Sequence, residues 1–218
     1  WFRDAPALAW GFYGHRLELY RRTTPHPGFA ILKRWAERAP RGAFVFTSNV
    51  DGAFQRAGFP ADRIHEVHGA IDLLQCTRAC GVGVFPADGF SVEVDPSTMR
   101  AVGELPRCPG CGALARPNIL MFGDWDWDET VSEAQSRRRR NWLAGLGDAR
   151  LVVVECGAGT AVPSVRRHSE ALAGGPGALL VRINPREPHA PAGSVSLPLG
   201  ALAALTAIDE RLNSSKFS

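Results

Sequence analysis

The sequence predicts an α/β fold, a doubly wound parallel sheet interrupted by a small metal-stabilised module. Three observations predict it. Short apolar runs at residues 43–47 (AFVFT), 151–155 (LVVVE) and 178–183 (ALLVRI) alternate with helix-periodic stretches, the pattern of buried parallel strands and crossover helices. Between residues 71 and 116 that alternation stops, and Gly, Pro and Cys accumulate. A chain of 218 residues, 45% of them hydrophobic, can bury one large domain or one domain plus a small module. The expected organisation is residues 1–70 as amino-terminal helices and a first strand, 71–116 as the inserted module, and 117–218 as the carboxyl-terminal part of the sheet domain.

In chain order, residues 4–40 have the 3 and 4 residue spacing of two helices broken at Pro25 and Pro27. After the run at 43–47 comes TSNVDG, residues 47–52, which brings a hydroxyl, an amide and a carboxylate to the end of an apolar strand. Groups just beyond the carboxyl ends of strands line the ligand crevice of open α/β sheets. Taken alone, these six residues read as an Asx or Asp-Gly turn capping a helix near Ala53. In EVHGA, residues 66–70, His68 is a side chain able to take a proton near neutral pH, although an isolated loop histidine is more often a hydrogen-bonded structural residue. His15, His26, His65, His168 and His189 lack such a context and read as surface or packing residues. Within 71–116 only VEV, residues 92–94, reads as a clear strand.

Helices are predicted over 129–147, 161–173 and 199–213. The stretch ECGAGTAVPS, residues 155–164, ends a strand and starts a helix near Ala161, leaving backbone N–H groups open as a seat for a phosphate. Gly157 and Gly159 fit a dinucleotide fingerprint, but Val162 stands where its last glycine belongs. RINPRE places Asn184 at the end of the next strand, suited to a ribose hydroxyl. Three polar strand ends are therefore expected to face one crevice.

Cys76 and Cys80 form one pair, Cys108 and Cys111 a second, with 27 residues between the pairs. Four thiolates from two knuckles satisfy a tetrahedral Zn2+, and a loop-rich insert lacks the core to fold alone. Two disulfides are the alternative, and a reducing compartment disfavours them. A site filled by four sulfurs is structural. Cys156, in an apolar strand end, reads as inert core.

Net charge is only +3, and Lys occurs only at Lys33 and Lys216, which leaves 23 of the 25 basic residues as Arg. No apolar run reaches the length of a membrane span, and no signal segment precedes the helices, so a cytoplasmic location is expected. The chain starts at Trp1 and is expected to be a fragment or processed piece. SRRRRN, residues 136–141, points around a whole helix and reads as a solvated surface. A zinc-ribbon module bound to nucleic acid would interleave basic and aromatic residues. Asp88, Glu93, Asp95 and Glu104 against Arg78, Arg100 and Arg107 argue otherwise, and no nucleic-acid partner is expected.

The ordered series TSNVDGAFQRAG, EVHG, paired cysteines, RPNILMFGD, GAGTAVPS and INPRE resembles the sirtuins, NAD-dependent protein lysine deacylases, over residues 20–213. That resemblance implies a Rossmann-like NAD-binding domain with a structural zinc module. It implies Thr47, Ser48, Asn49, Asp51, Gly157, Ala158, Gly159 and Asn184 as cofactor-binding residues. His68 becomes the general base on the ribose hydroxyls, with Asn49 and Asp51 beside the chemistry. Leu120, Phe122 and Gly123 would line the acyl-lysine tunnel and pair with an acylated peptide. The implied products are lysine, nicotinamide and O-acyl-ADP-ribose. Trp125 and Trp127 would flank that peptide or pack on the insert. An NAD-consuming ADP-ribosyltransferase, an NAD hydrolase and a non-catalytic zinc module are the alternatives. Ser48, Ala158, Gly159, Asp124 and the Cys76–Cys80 spacing depart from the family pattern, and the family's first strand and Gly-Ala-Gly-x-Ser turn have no counterpart before Trp1. The sheet is accordingly expected to lack its first strand and part of the cofactor site.

Overall fold

Pro6 opens helix α1 (Pro6–Arg22), its fixed φ suiting the first turn, and Thr23 turns extended two residues ahead of Pro25. Helix α2 (Pro27–Arg38) begins on Pro27, and the ring of His26 accepts a hydrogen bond from the Gly28 amide. The computed structural model describes residues 1–214. They form two compact units, one of Trp1–Thr24 with Val45–Arg139, the other of Pro25–Phe44 with the chain from Arg140 onward.

In the first unit, β1 (Val45–Thr47) and β2 (Ile64–Glu66) pair in parallel through the short helix α3 (Ala53–Arg56). Strand β3 (Gly69–Cys76) runs antiparallel to both β4 (Val84–Pro86) and β7 (Ala115–Ile119), and β5 (Glu93–Asp95) and β6 (Arg100–Val102) form a hairpin. The sequence had led to one strand in this insert, and the structure corrects that reading. Strands β4, β5 and β6 are three residues each, too short to show a period of two. All five residues of β7 are buried, as are six of the eight in β3, which hides any alternation.

The core of this unit gathers Phe2, Trp10, Leu74, Val92 and Ala115, with the Trp10 indole donating to the Ala115 carbonyl at 2.9 Å. Helix α1 reaches the β5–β6 hairpin through two glycines. A Cβ at Gly11 would stand 1.9 Å from the Met99 carbonyl oxygen, and one at Gly14 would stand 2.7 Å from Val92 Cβ. Gly11→Ala is therefore expected to lower unfolding free energy by about 3 kcal/mol, read from the urea midpoint at unchanged m-value. The same contact explains why the compact units do not follow the three segments read from sequence: α1 is built into the metal module's core.

In the second unit, β8 (Val152–Cys156), β9 (Leu179–Ile183) and β10 (Val195–Leu197) form a parallel sheet in the order β10, β9, β8. Side-chain alternation divides its faces. Val154, Val181, Ile183 and Leu197 meet α2 and α6 (Ala201–Ser214), while Glu155 and Arg182 point toward α5 (Ser164–Ala173). The Arg182 guanidinium is buried, bidentate to Glu155 and bonded to Glu170 at 2.9 Å. Removing Glu155 leaves the buried guanidinium with only the partly exposed Glu170 as counter-charge. Glu155→Ala is expected to cost about 3–5 kcal/mol in thermal or denaturant unfolding. Helix α4 (Thr130–Ala144) lies within the expected 129–147, and α5 starts three residues later than expected, after Pro163.

Candidate active site and metal centre

Local hydrogen bonds shape TSNVDG as a turn. Thr47 Oγ1 accepts from the Asn49 amide at 3.1 Å, and Asp51 Oδ1 caps α3 by accepting from the Ala53 amide at 2.9 Å. Gly52 takes the left-handed conformation, φ 66°, that this tight entry requires. The turn reading holds, and the exposed side-chain amide of Asn49 makes no hydrogen bond among the described residues. Ser48 and Asp51 lie beside it, half-buried.

His68 sits at the start of β3. Burial pulls its imidazole below the ordinary histidine value, and a hydrogen bond from the ring to the Ser48 backbone only partly offsets this. At neutral pH the ring is neutral and free to take a proton. Its carbonyl accepts from the Leu120 amide at 3.0 Å, which brings together two residues 52 positions apart. Only glycine fits at Gly69, where φ is 77° and a Cβ would lie 2.0 Å from the Asn118 carbonyl oxygen. The His-Gly pair is thus what lets β3 close on β7 and set His68 beside Leu120.

Sequence reasoning missed Glu66, although it lies two residues before His68. Its carboxylate is buried, burial pushes its pKa up, and Gln135 holds it through the backbone amide at 2.9 Å and Oε2 at 3.3 Å. An apolar residue is the usual occupant of such a strand position, so only its place in EVHG could have flagged it.

Beyond Leu120 the chain forms a loop held by a buried Arg116–Asp124 ion pair at 2.6 Å, by Gln75 donating to the Asp126 carbonyl and by Asn118 donating to the Asp128 carbonyl. Phe122 is 96% exposed. Phe122 and Gly123 border an apolar cleft of about 770 Å3 shared with Phe12, Tyr13 and Met121, whereas Leu120 stands by His68 outside that lining. Trp125 is exposed, and the half-buried Trp127 borders a separate cleft beside the cysteines.

In the second unit, Gly157 ends β8 and Asn184 follows β9. The amides expected to be open for a phosphate are not open at Thr160. Its N–H and hydroxyl both donate to the Glu187 carboxylate, at 3.0 and 2.5 Å, which holds that carboxyl below the usual range. Asn184 donates to the Ala158 carbonyl at 3.0 Å and accepts from the Arg186 and Glu187 amides, leaving its second amide hydrogen unengaged. Arg166 and Glu187 were the residues not foreseen here, because their partners are backbone atoms and a loop 21 to 27 positions away.

The four cysteines converge. Their sulfurs lie within 4.8 Å of one another, with Cys76–Cys111 at 3.6 Å and Cys80–Cys108 at 3.5 Å. A tetrahedron of Zn–S bonds has sulfur edges of about 3.8 Å, so this set fits zinc with no further ligand. Cys156 is exposed as a residue, yet crowding of its thiol and the Glu155 charge push it up to about 11, far from a nucleophile.

The Sir2 family model matches residues 1–149. The NAD-dependent protein deacylase of Mycobacterium tuberculosis (strain ATCC 25177 / H37Ra) is 31% identical over 218 aligned residues, covering 97% of this chain and 81% of that protein. The mitochondrial NAD-dependent protein deacylase sirtuin-5 of Canis lupus familiaris is 33% identical over 138 residues, and the match spans 56% of this chain but only 44% of that relative. A solved Sir2 homologue, a mutant in complex with 2'-O-acetyl ADP ribose, superposes with a TM-score of 0.66 at 23% identity, covering 98% of this chain and 77% of that one. Sir2 bound to acetylated peptide gives 0.57 at 19% identity, covering 93% and 81%. At these identities the superpositions establish the Rossmann-like α/β fold.

Proposed function

This chain belongs to the Sir2 family, and on that premise we propose that it carries the catalytic machinery of an NAD-dependent protein lysine deacylase. The observation that carries the reading is the placement of His68. A histidine kept neutral by burial stands beside the Leu120 backbone, at the root of a loop suited to pair with an extended peptide. The residues present fit NAD. In the first unit the Asn49 side-chain amide, next to Ser48 whose backbone bonds to the His68 ring, would serve the nicotinamide ribose; in the second unit, taken by itself, Asn184 would offer an N–H to the adenosine ribose.

When bound, NAD would supply the electrophilic ribose carbon with nicotinamide as leaving group, and one water would free the lysine as the acyl group passes to the ribose. His68 removes a proton from a ribose hydroxyl, Asn49 and Asp51 orient that ribose, and the backbone around Leu120 aligns the acyl-lysine. Phe122 and Gly123 border an apolar cleft on the far side of the same loop, open to the apolar part of a peptide substrate. Cys76, Cys80, Cys108 and Cys111 would fill all four positions of a bound zinc, which would make its role structural. A zinc-binding set of four cysteines fits a reducing compartment, and we propose a cytoplasmic location.

Nicotinamide release with and without an acyl-lysine peptide tests the proposal. A deacylase releases it only with the peptide, and peptide-independent release of free ADP-ribose would mark an NAD hydrolase instead.

A further inference from the structure

Two loops of the second unit carry the groups assigned above to the adenosine end of NAD. One follows β8 through residues 157–160, and the other follows β9 from Asn184 to His189. Thr160 with Glu187 and Asn184 with Ala158 already bridge them, and one buried side chain on α5 ties both loops to the helix. The guanidinium of Arg166 donates to the Ala158 carbonyl at 3.2 Å, to the Glu187 carbonyl at 3.1 Å and to the His189 carbonyl at 2.5 Å. It lies 3.7 Å from Glu170, so its charge is compensated within its own helix. A planar fork with five donors can satisfy three carbonyls from two loops at fixed spacing, which an ammonium on a flexible stem cannot. Around it, the Glu187 carboxylate takes the Thr160 amide and hydroxyl. The Ala158 carbonyl already accepts from Arg166 and Asn184, and the loop pair leaves the second amide hydrogen of Asn184 as a donor for a ribose hydroxyl.

We propose that Arg166 is a positioning residue for the adenosine half of the cofactor, setting the distance between residues 157–160 and Asn184 at which an adenosine ribose is held. The inference rests on the deacylase reading for the identity of the ligand. Arg166 touches neither the reacting carbon nor the peptide. Its loss acts on cofactor affinity and leaves the chemical step alone.

The test is steady-state kinetics of Arg166→Gln and Arg166→Lys beside the wild type, varying NAD and acyl peptide separately, with ADP-ribose binding measured by calorimetry on the same proteins. The expected result is a rise in the KM for NAD of tenfold or more in Arg166→Gln, a smaller rise in Arg166→Lys, and matching losses in ADP-ribose affinity. Neither kcat nor the KM for peptide should move by more than about twofold. An unchanged KM for NAD and unchanged ADP-ribose binding in a folded Arg166→Gln protein overturns the inference, as does an equal fall in kcat with affinity intact. Should Arg166→Gln fail to fold, Arg166→Lys alone decides, since it retains charge and part of the bonding. Absence of turnover in the wild type would sink the deacylase reading, while the calorimetric comparison would still judge Arg166.

Discussion

Cys108→Ser is expected to release zinc and unfold the module built on it. Structural zinc sites bind with about 10–16 kcal/mol of apparent free energy, and where the site does not exist in the unfolded chain that binding energy is folding energy. Whole domains are stable by only about 5–15 kcal/mol, so losing one of four sulfurs removes a quantity as large as the stability itself. Cys108 is buried beside Cys76 and Ala113, and the chain passes from Cys111 directly into β7, whose first carbonyl accepts from the Trp10 indole. Zinc content should fall from one per chain toward zero, and tryptophan emission should shift to the red as Trp10 loses its core. Cys156→Ser, which changes a thiol outside the cluster, should keep one zinc per chain. Retention of zinc and of native emission by Cys108→Ser would contradict the four-sulfur assignment.

His68→Ala is expected to remove catalysis while leaving the fold intact. Positioned acid–base groups contribute about 10²–10⁴-fold, and the loss should appear in kcat, since the ring acts on a proton in flight. Structure around position 68 depends on its carbonyl and on Gly69, both retained in the variant. In the wild type the ring's pKa lies below 6.5 because burial disfavours the charged form. The base is therefore available at neutral pH, and the acid limb of kcat/KM should fall at a pH lower than 6.5, as protonation of the ring removes the base. An acid limb above that value, or a loss under tenfold in His68→Ala, would take the role from this residue.

The longer helices and the strands β1, β8 and β9 were legible because each carries a local signal: prolines at the starts of α1 and α2, apolar runs in the strands, polar residues where β1 and β9 end. The three-residue parallel strands β2 and β10 were too short to be read. The metal set was legible from spacing alone, since two knuckles need no knowledge of the fold. The β strands of the insert were hidden by their shortness and by burial on both faces. The long-range arrangement was also hidden. Leu120 beside His68 depends on the β3–β7 register, and the Glu187 carboxylate at Thr160 depends on two loops meeting in space. The second of these limits a local inference, that small residues at a helix start leave open amides, because at Thr160 a side chain 27 positions away takes the amide.

The measurement that tests the account most directly is the product balance of a single reaction, this chain with NAD and an acetyl-lysine peptide, followed by mass spectrometry. Deacylation by the assigned site predicts nicotinamide, free lysine peptide and O-acetyl-ADP-ribose in equal amounts, all three lost together in His68→Ala. Consumption of NAD with the peptide still acetylated, or lysine freed with no acetylated ADP-ribose formed, would contradict it.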